Sequence, residues 1–322
     1  MDEVFLTGAS GFVGGHVLQA LLDAGFRVRA LVRDPDADVD ERVRLVSGDL
    51  RRCGKLATAM RGCRYLVHVA AAYSFSPRDR QAVWETNVAG TKGLLEAAHI
   101  AGVEKAVVTS SSAAVGPSHD GIPASEADHP HPSTRRDYHA SKVEEEYVAL
   151  SARVPTVLVL PTAPVGPGDA RPTPTGRIVL DFVRGRMPAV VDGGMNLVPV
   201  EDVSRAHILA LQLGSPGERY ILGGEDMTFD DIWRTLARLT SRPVPRVRLS
   251  HSLVLAMAHI DEVRCRLIGG TPVVPLEGAR MSAELMYASS ARAARELGWW
   301  ASPVEGALER AVNWYRRAGM AV

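Results

Sequence analysis

The segment Thr7-Gly8-Ala9-Ser10-Gly11-Phe12-Val13-Gly14 constrains this chain more than any other, because it lies between the apolar run Val4-Phe5-Leu6 and the helical pattern His16-Val17-Leu18-Gln19-Ala20-Leu21-Leu22. An apolar run that ends in glycines and passes into a helix reads as strand, tight turn, helix, the first βα unit of a dinucleotide-binding fold. One glycine permits the tight turn, another lets the backbone approach a pyrophosphate, and the third, Gly14, lets the helix lie close to the strand. The unpaired N–H groups at the helix start then favour a phosphate. Gly8, Ser10, Gly11, Phe12, Val13 and Gly14 are therefore candidate cofactor contacts. Their spacing is GxxGxxG, not the commoner GxGxxG.

A second strand is expected over 26–32, ending in Arg33-Asp34-Pro35. Folds that prefer NAD carry a carboxylate at this tip to accept the ribose hydroxyls. Here Arg33 stands at the tip, and a guanidinium, helped by Arg29, suits a 2′-phosphate and predicts NADP(H) over NAD(H). Asp34 is the residue that would support NAD, and a solvated surface arginine is the plainer alternative. Further strands are expected over 43–46, leading to Asp49-Leu50, and over 65–69, leading to Ala70-Ala71-Ala72, where small residues admit a flat ring or sugar. A helix over 87–98 and strands over 106–109 and 157–160 continue an alternation that implies an α/β fold with a doubly wound parallel sheet.

Ser110-Ser111-Ser112 follows the strand over 106–109 at its carboxyl end, where open α/β sheets place ligands. The polar, proline-containing loop 121–136 is long enough to gate a substrate. Beyond it, Tyr138 and Lys142 stand four residues apart and share one face of a helix. A phenol is a poor proton donor or acceptor at neutral pH, and a neighbouring ammonium favours the phenolate. The same lysine can hold a nicotinamide ribose while a serine hydroxyl fixes the substrate oxygen. Only four of the 37 basic residues are lysine, which makes this one informative.

From residue 165 onward the composition shifts to loops and short helices, including 178–184, a helix capped by Thr228 and running to 239, and an amphipathic terminal helix over 302–316. The expected division is a dinucleotide-binding domain over 1–165, with returning segments near 197–222, and a mainly substrate-binding domain over 166–322. His207, His251 and His259 sit in helical patterns and read as packing or surface residues, and no metal site is expected. The three cysteines fit neither a disulfide framework nor a metal spacing, which predicts a reducing, cytoplasmic setting. Net charge is zero, so neither nucleic acid nor a membrane surface is an expected partner. The apolar segment 252–268 is broken by charges and predicts no membrane span. A strand beginning at Val4 predicts no signal peptide.

Thr7-Gly8-x-x-Gly11-x-x-Gly14, Asp49, Asn87, Thr109-Ser110-Ser111 and Tyr138-x-x-x-Lys142 together resemble the extended short-chain dehydrogenase/reductases. That resemblance covers the whole chain and implies a Rossmann domain, catalytic Ser111, Tyr138 and Lys142 with Ser112 as the alternative serine, Tyr138 and Lys142 also as cofactor contacts, Asp49 and Leu50 at the adenine, Asn87 supporting the active-site helix, and Pro161, Thr162 and Ala163 near the nicotinamide amide. It also implies a small-molecule substrate, and homodimers are common in the family. The second half, through Arg171-Pro172-Thr173-Pro174-Thr175-Gly176-Arg177, Gly185-Arg186-Met187-Pro188, Glu218-Arg219-Tyr220-Ile221-Leu222-Gly223-Gly224 and Pro275-Leu276-Glu277-Gly278, is similar to hopanoid-associated sugar epimerases. The first half, through Val28-Arg29-Ala30-Leu31-Val32-Arg33-Asp34-Pro35, is similar to dihydroflavonol-type and aldehyde reductases.

Nucleotide-sugar members carry an arginine that grips the substrate diphosphate where this chain has Asn196, in Gly193-Gly194-Met195-Asn196-Leu197-Val198. Unless Arg171, Arg177 or Arg186 substitutes, an uncharged carbonyl or alcohol fits better. The expected function is thus an NADP(H)-preferring oxidoreductase of a ketone, aldehyde or secondary alcohol. A sugar epimerase or dehydratase with transient oxidation is the alternative, and a redox-silent NADP-binding sensor a third.

Overall fold

Short runs of Val, Leu and Ile alternate with amphipathic helices, and such runs hide both faces only inside a helix-covered parallel sheet. The computed structural model describes residues 1–74, 76–130, 137–187, 189–245, 247–270, 276–281 and 284–321. Its first strands are β1 (Glu3–Thr7), β2 (Arg27–Val32), β3 (Arg44–Ser47), β4 (Tyr65–His68), β5 (Lys105–Thr109) and β6 (Thr156–Pro161). Then come β7 (Ala163–Val165), β8 (Val190–Val191), β9 (Gly194–Pro199), β10 (Arg219–Leu222), β11 (Glu225–Thr228), β12 (Arg248–Leu249) and β13 (Leu285–Met286). The main sheet runs β10-β6-β5-β4-β1-β2-β3. All of its pairings are parallel.

The helices between them are α1 (Phe12–Asp23), α2 (Leu56–Met60), α3 (Arg80–Trp84), α4 (Thr91–Ala101), α5 (Asp137–Leu150) and α6 (Pro174–Val183). The later ones are α7 (Val200–Leu213), α8 (Phe229–Thr240), α9 (His251–Ile268), α10 (Leu276–Met281), α11 (Ala291–Leu297) and α12 (Val304–Arg317). Strand periodicity divides the core into two layers. Val4, Leu6, Val107 and Val159 pack with Val17 and Leu21 of α1 and Val203 of α7, whereas Phe5, Leu66, Val108 and Leu158 pack with Leu94 and Ala98 of α4 and Ala149 of α5. Strand order reverses between β1 and β4, which opens a crevice at their carboxyl ends.

A smaller sheet, β11-β9-β13 with β7 beside β9, carries a third core. Val179 and Phe182 of α6, Trp233 of α8 and Tyr315 of α12 fill it, with the Phe182 and Trp233 rings stacked at 5.7 Å. Thr228 caps α8 through a reciprocal bond with Asp231. Among the described residues, no helix is long and apolar enough to cross a membrane.

The helix expected over 87–98 opens differently from a regular α-helix, because Glu85–Gly90 forms a wider π-type turn before α4. Such turns redirect side chains and recur at functional sites. The expected gating loop 121–136 needs a correction in its first half. Ala124 donates to the Tyr287 carbonyl and accepts from Ser289 N, while Arg219 donates to the Glu126 carbonyl. These bonds strap 124–126 to the body of the protein, so that part cannot act as a gate. Residues 131–136 of that loop, with Pro188 and Pro275 of the segments singled out above, lie outside the described residues.

Candidate active site

The turn after β1 uses its glycines in distinct ways. Gly8 has φ +81°, and a Cβ there would stand 2.7 Å from Ala70 N. Gly14 is packed so tightly that its Cβ would stand 1.9 Å from the Gly8 carbonyl oxygen. Gly11 caps α1 with its N–H bonded to Gly8 O at 2.9 Å, and neither a side-chain cap nor an acidic residue occupies the first turn. The leading N–H groups of α1 thus remain available to an anion, and the cradle is one that added Cβ atoms would fill. Ser10 and Gly11 are exposed, and Phe12 and Val13 half-buried, along the rim. A dinucleotide pyrophosphate fits these donors.

Arg33 is exposed one residue beyond β2 and makes no ion pair among the described residues, while its charge reaches Asp49 beyond β3. Hydrogen bonds from Arg51, with Arg33 contributing, hold the Asp49 carboxyl down at about 2. Leu50 is buried beside it. Arg29 does not join Arg33. It is 7% exposed, donates to Glu3 Oε2 at 2.6 Å and caps the carbonyls of Ala59 and Arg61, so the expectation that it helps hold a 2′-phosphate is corrected. Glu3 and the carbonyls of Ala59 and Arg61 hold it inward from within β2, whereas Arg33 lies past the end of the strand.

Ala70 and Ala71 line the end of β4, followed by Ala72, whose N–H and carbonyl are both bound by Asn87. Asn87 Nδ2 also donates to Ser141 Oγ at 3.1 Å, which ties the π-type turn to α5. At the carboxyl end of β5, Ser110 turns inward toward Glu146, whereas Ser111 and Ser112 remain half-buried. Ser111 Oγ accepts from Ala113 N at 3.2 Å, which leaves its O–H to be donated. Tyr138 is 7% exposed, with the Tyr73 ring 4.3 Å from its own.

Lys142, one turn further along α5, is 1% exposed, donates to the Thr109 carbonyl at 3.0 Å and forms an ion pair with Glu145. Burial works against its charge, but Glu145, Tyr138 and Glu146 together outweigh that and raise Lys142 above the ordinary lysine range. Pro161, Thr162 and Ala163 bring β6 to the same edge, where Thr162 Oγ1 donates to Asn196 Oδ1 at 2.9 Å. The expected catalytic and cofactor residues, Arg29 aside, therefore converge on the carboxyl edge of the sheet.

Tyr73, His68, Thr91, Glu145 and Glu146 are the residues that reading the sequence passed over. Glu145 was accessible to it, since i and i+3 share a helix face with Lys142; the others are brought in by the sheet.

Two buried histidines near the site predict an acid limit. Burial holds His68 at about 3 and His207 at about 4, against an ordinary 6.5. The unfolded chain takes up a proton at each as pH falls below the ordinary value, while the folded chain does not, so this stability is complete above that value and is lost downward to the folded pKa. Each histidine adds a slope of about 1.4 kcal/mol per pH unit. Urea midpoints at about pH 7 and about pH 5 should show the loss, and His207→Gln should make it shallower by one proton. Equal midpoints would refute it.

A family model described as the NAD dependent epimerase/dehydratase family matches residues 4–223. A Synechocystis protein that carries a dihydroflavonol 4-reductase name is 41% identical over 329 residues, spanning 99% of this chain and 96% of its own. Sterol demethylase protein B of Methylococcus capsulatus is 36% identical, with 98% of both chains covered. The crystal structure of gox2253 is similar with a TM-score of 0.87, 39% identity and 99% of each chain covered.

Proposed function

The chain belongs to the NAD dependent epimerase/dehydratase family, the extended short-chain dehydrogenase/reductases, and from that premise we propose an NADP(H)-preferring oxidoreductase acting on a ketone or secondary alcohol without a nucleotide diphosphate. Its cofactor is a nicotinamide dinucleotide, which supplies or accepts a hydride when bound. Gly8, Gly11 and Gly14 would hold the pyrophosphate, with Asp49 and Leu50 at the adenosine end, Ala70 and Ala71 along the dinucleotide, and Pro161 to Ala163 at the far end. Tyr138 is the general acid or base. Lys142 keeps a cation beside the phenol, which favours the phenolate, and Ser111 donates its O–H to the substrate oxygen. Asn87 holds α5 so that these groups converge.

Asn196 is the observation that carries the choice of substrate class. It is 2% exposed, its Oδ1 accepts from Thr162 and Gly224 N, and its Nδ2 donates to Asp226 at 2.7 Å. An amide engaged in this way offers nothing to a diphosphate. Arg171, Arg177 and Arg186 are exposed. Relatives named for a dihydroflavonol and a sterol support the same direction. The test is nicotinamide absorbance over time across a panel of aldehydes, ketones, sterol ketones and nucleotide sugars, with products identified by mass and chirality. Net NADPH loss with a ketone is expected. An altered nucleotide sugar at constant NADPH would establish internal hydride return instead, as in an epimerase or dehydratase.

The NADP preference rests on Arg33. A charge-assisted bond to a 2′-phosphate contributes about 1.5–3 kcal/mol, so Arg33→Ala should weaken NADPH binding by at least about tenfold and leave NADH binding unchanged. Titration of cofactor fluorescence measures both. Equal affinities in the variant and the parent would remove the assignment.

A further inference from the structure

The proton-transfer pair is backed by a carboxylate that the proposed chemistry does not use. Glu145 is 1% exposed, and its Oε1 accepts from Thr91 Oγ1 at 3.3 Å. Thr91 Oγ1 lies 2.9 Å from His68 Nε2, and His68 Nδ1 lies 2.6 Å from Thr7 Oγ1. Thr7 Oγ1 accepts from Ala70 N at 3.2 Å. The directions follow by assignment from this network. Ala70 N–H donates to Thr7, whose O–H donates to His68 Nδ1; His68 carries its proton on Nε2 and donates it to Thr91, and the Thr91 O–H donates to Glu145. Every donor points toward Glu145, as an ionised carboxylate requires.

We infer that Glu145 is a positioning residue for Lys142: its buried carboxylate is the counter-charge that keeps the ammonium beside Tyr138, and the chain Thr91–His68–Thr7 anchors that carboxylate to the glycine turn. The inference rests on Tyr138 and Lys142 being the proton-transfer pair. A buried carboxylate is costly unless partners surround it, and Glu145 has a cation on one side and a hydroxyl on the other.

The other groups facing the pair do not replace it. His68 from β4 is neutral, Tyr73 and His139, whose rings lie 4.3 Å and 6.1 Å from that of Tyr138, offer no carboxylate, and Glu146 on α5 is engaged with Arg219 of β10 at 2.9 Å. The charged residues of α3 and α4 (Arg80, Lys92 and Glu96) are exposed, as is Glu85 of the π-type turn, and the facing parts of β5 and β6 supply no further charge.

Glu145→Gln keeps an acceptor for Thr91 but sets an amide N–H against the ammonium. Burial then drives Lys142 toward its neutral form, and Tyr138 loses the cation beside it. The ionisation of Tyr138 is read without substrate or cofactor, as the tyrosinate absorbance of the parent minus that of Tyr138→Phe, and again for Glu145→Gln minus Glu145→Gln/Tyr138→Phe. The expected result is an upward shift of the Tyr138 titration by about one unit or more, and a smaller upward shift in Glu145→Asp, whose carboxylate is withdrawn by one methylene. A titration that is unmoved or lowered in Glu145→Gln overturns the inference. Should that variant not fold, an unmoved titration in Glu145→Asp does so. Failure of the functional reading appears separately, as turnover that survives Tyr138→Phe.

Discussion

Tyr138→Phe is expected to lower turnover by about a thousandfold while cofactor binding stays within about twofold of the parent, since the phenol OH contributes far more in the transition state than to holding a dinucleotide that many other groups also contact. The change removes one oxygen from a ring packed against Tyr73, so the fold has little reason to respond. Single-turnover rates with pre-bound NADPH separate this loss from any defect in binding. In the same assay Ser111→Ala should lose less, because a positioning hydrogen bond is removed and not the proton itself. If Tyr138→Phe kept most of the parent rate, Tyr138 would not be the acid or base, and the oxidoreductase mechanism built on it would fall.

Gly14→Ala should cost about 3 kcal/mol or more in stability and weaken NADPH binding by at least about tenfold. The added Cβ would stand 1.9 Å from Gly8 O and 2.5 Å from the Gly8 carbonyl carbon. Both are backbone atoms, so no side chain can rotate away; either α1 lifts from β1 or the turn opens. In both cases the N–H groups of the first turn move relative to Ala70. Gly15→Ala is the internal control, since its Cβ would meet Ala9 O at an ordinary 3.5 Å and alanine favours a helix. Urea denaturation with cofactor titration decides the matter. Equal stability and affinity in Gly14→Ala and Gly15→Ala would mean that close packing of the turn has no part in holding the dinucleotide.

Much of the site was readable without a structure because its parts are local. The order strand, glycines, helix is written in consecutive residues, and the four-residue step from Tyr138 to Lys142 is a property of any α-helix. The alternation of apolar runs and helices implied the parallel sheet for the same reason. Arg29 shows where such reading fails. It precedes Arg33 by four residues and carries the same guanidinium, yet it is buried against Glu3 while Arg33 remains exposed.

Sequence by itself determined the fold class, the glycine turn after β1 and the shared helix face of Tyr138 and Lys142, since each depends on spacing within one or two elements. Tertiary structure alone decided which polar groups lose contact with water. Glu144, Glu145 and Glu146 are consecutive and chemically identical, but the packing of α5 on β6, α3 and α4 buries Glu145 and Glu146 and gives each its own cation. Asn196 likewise became a buried cross-link between Thr162, Gly224 and Asp226 only once β6, β9 and the β10–β11 turn met. Burial sets the cost of leaving a charge or an amide unpaired, and burial is a property of the assembled fold, absent from any stretch of chain taken alone.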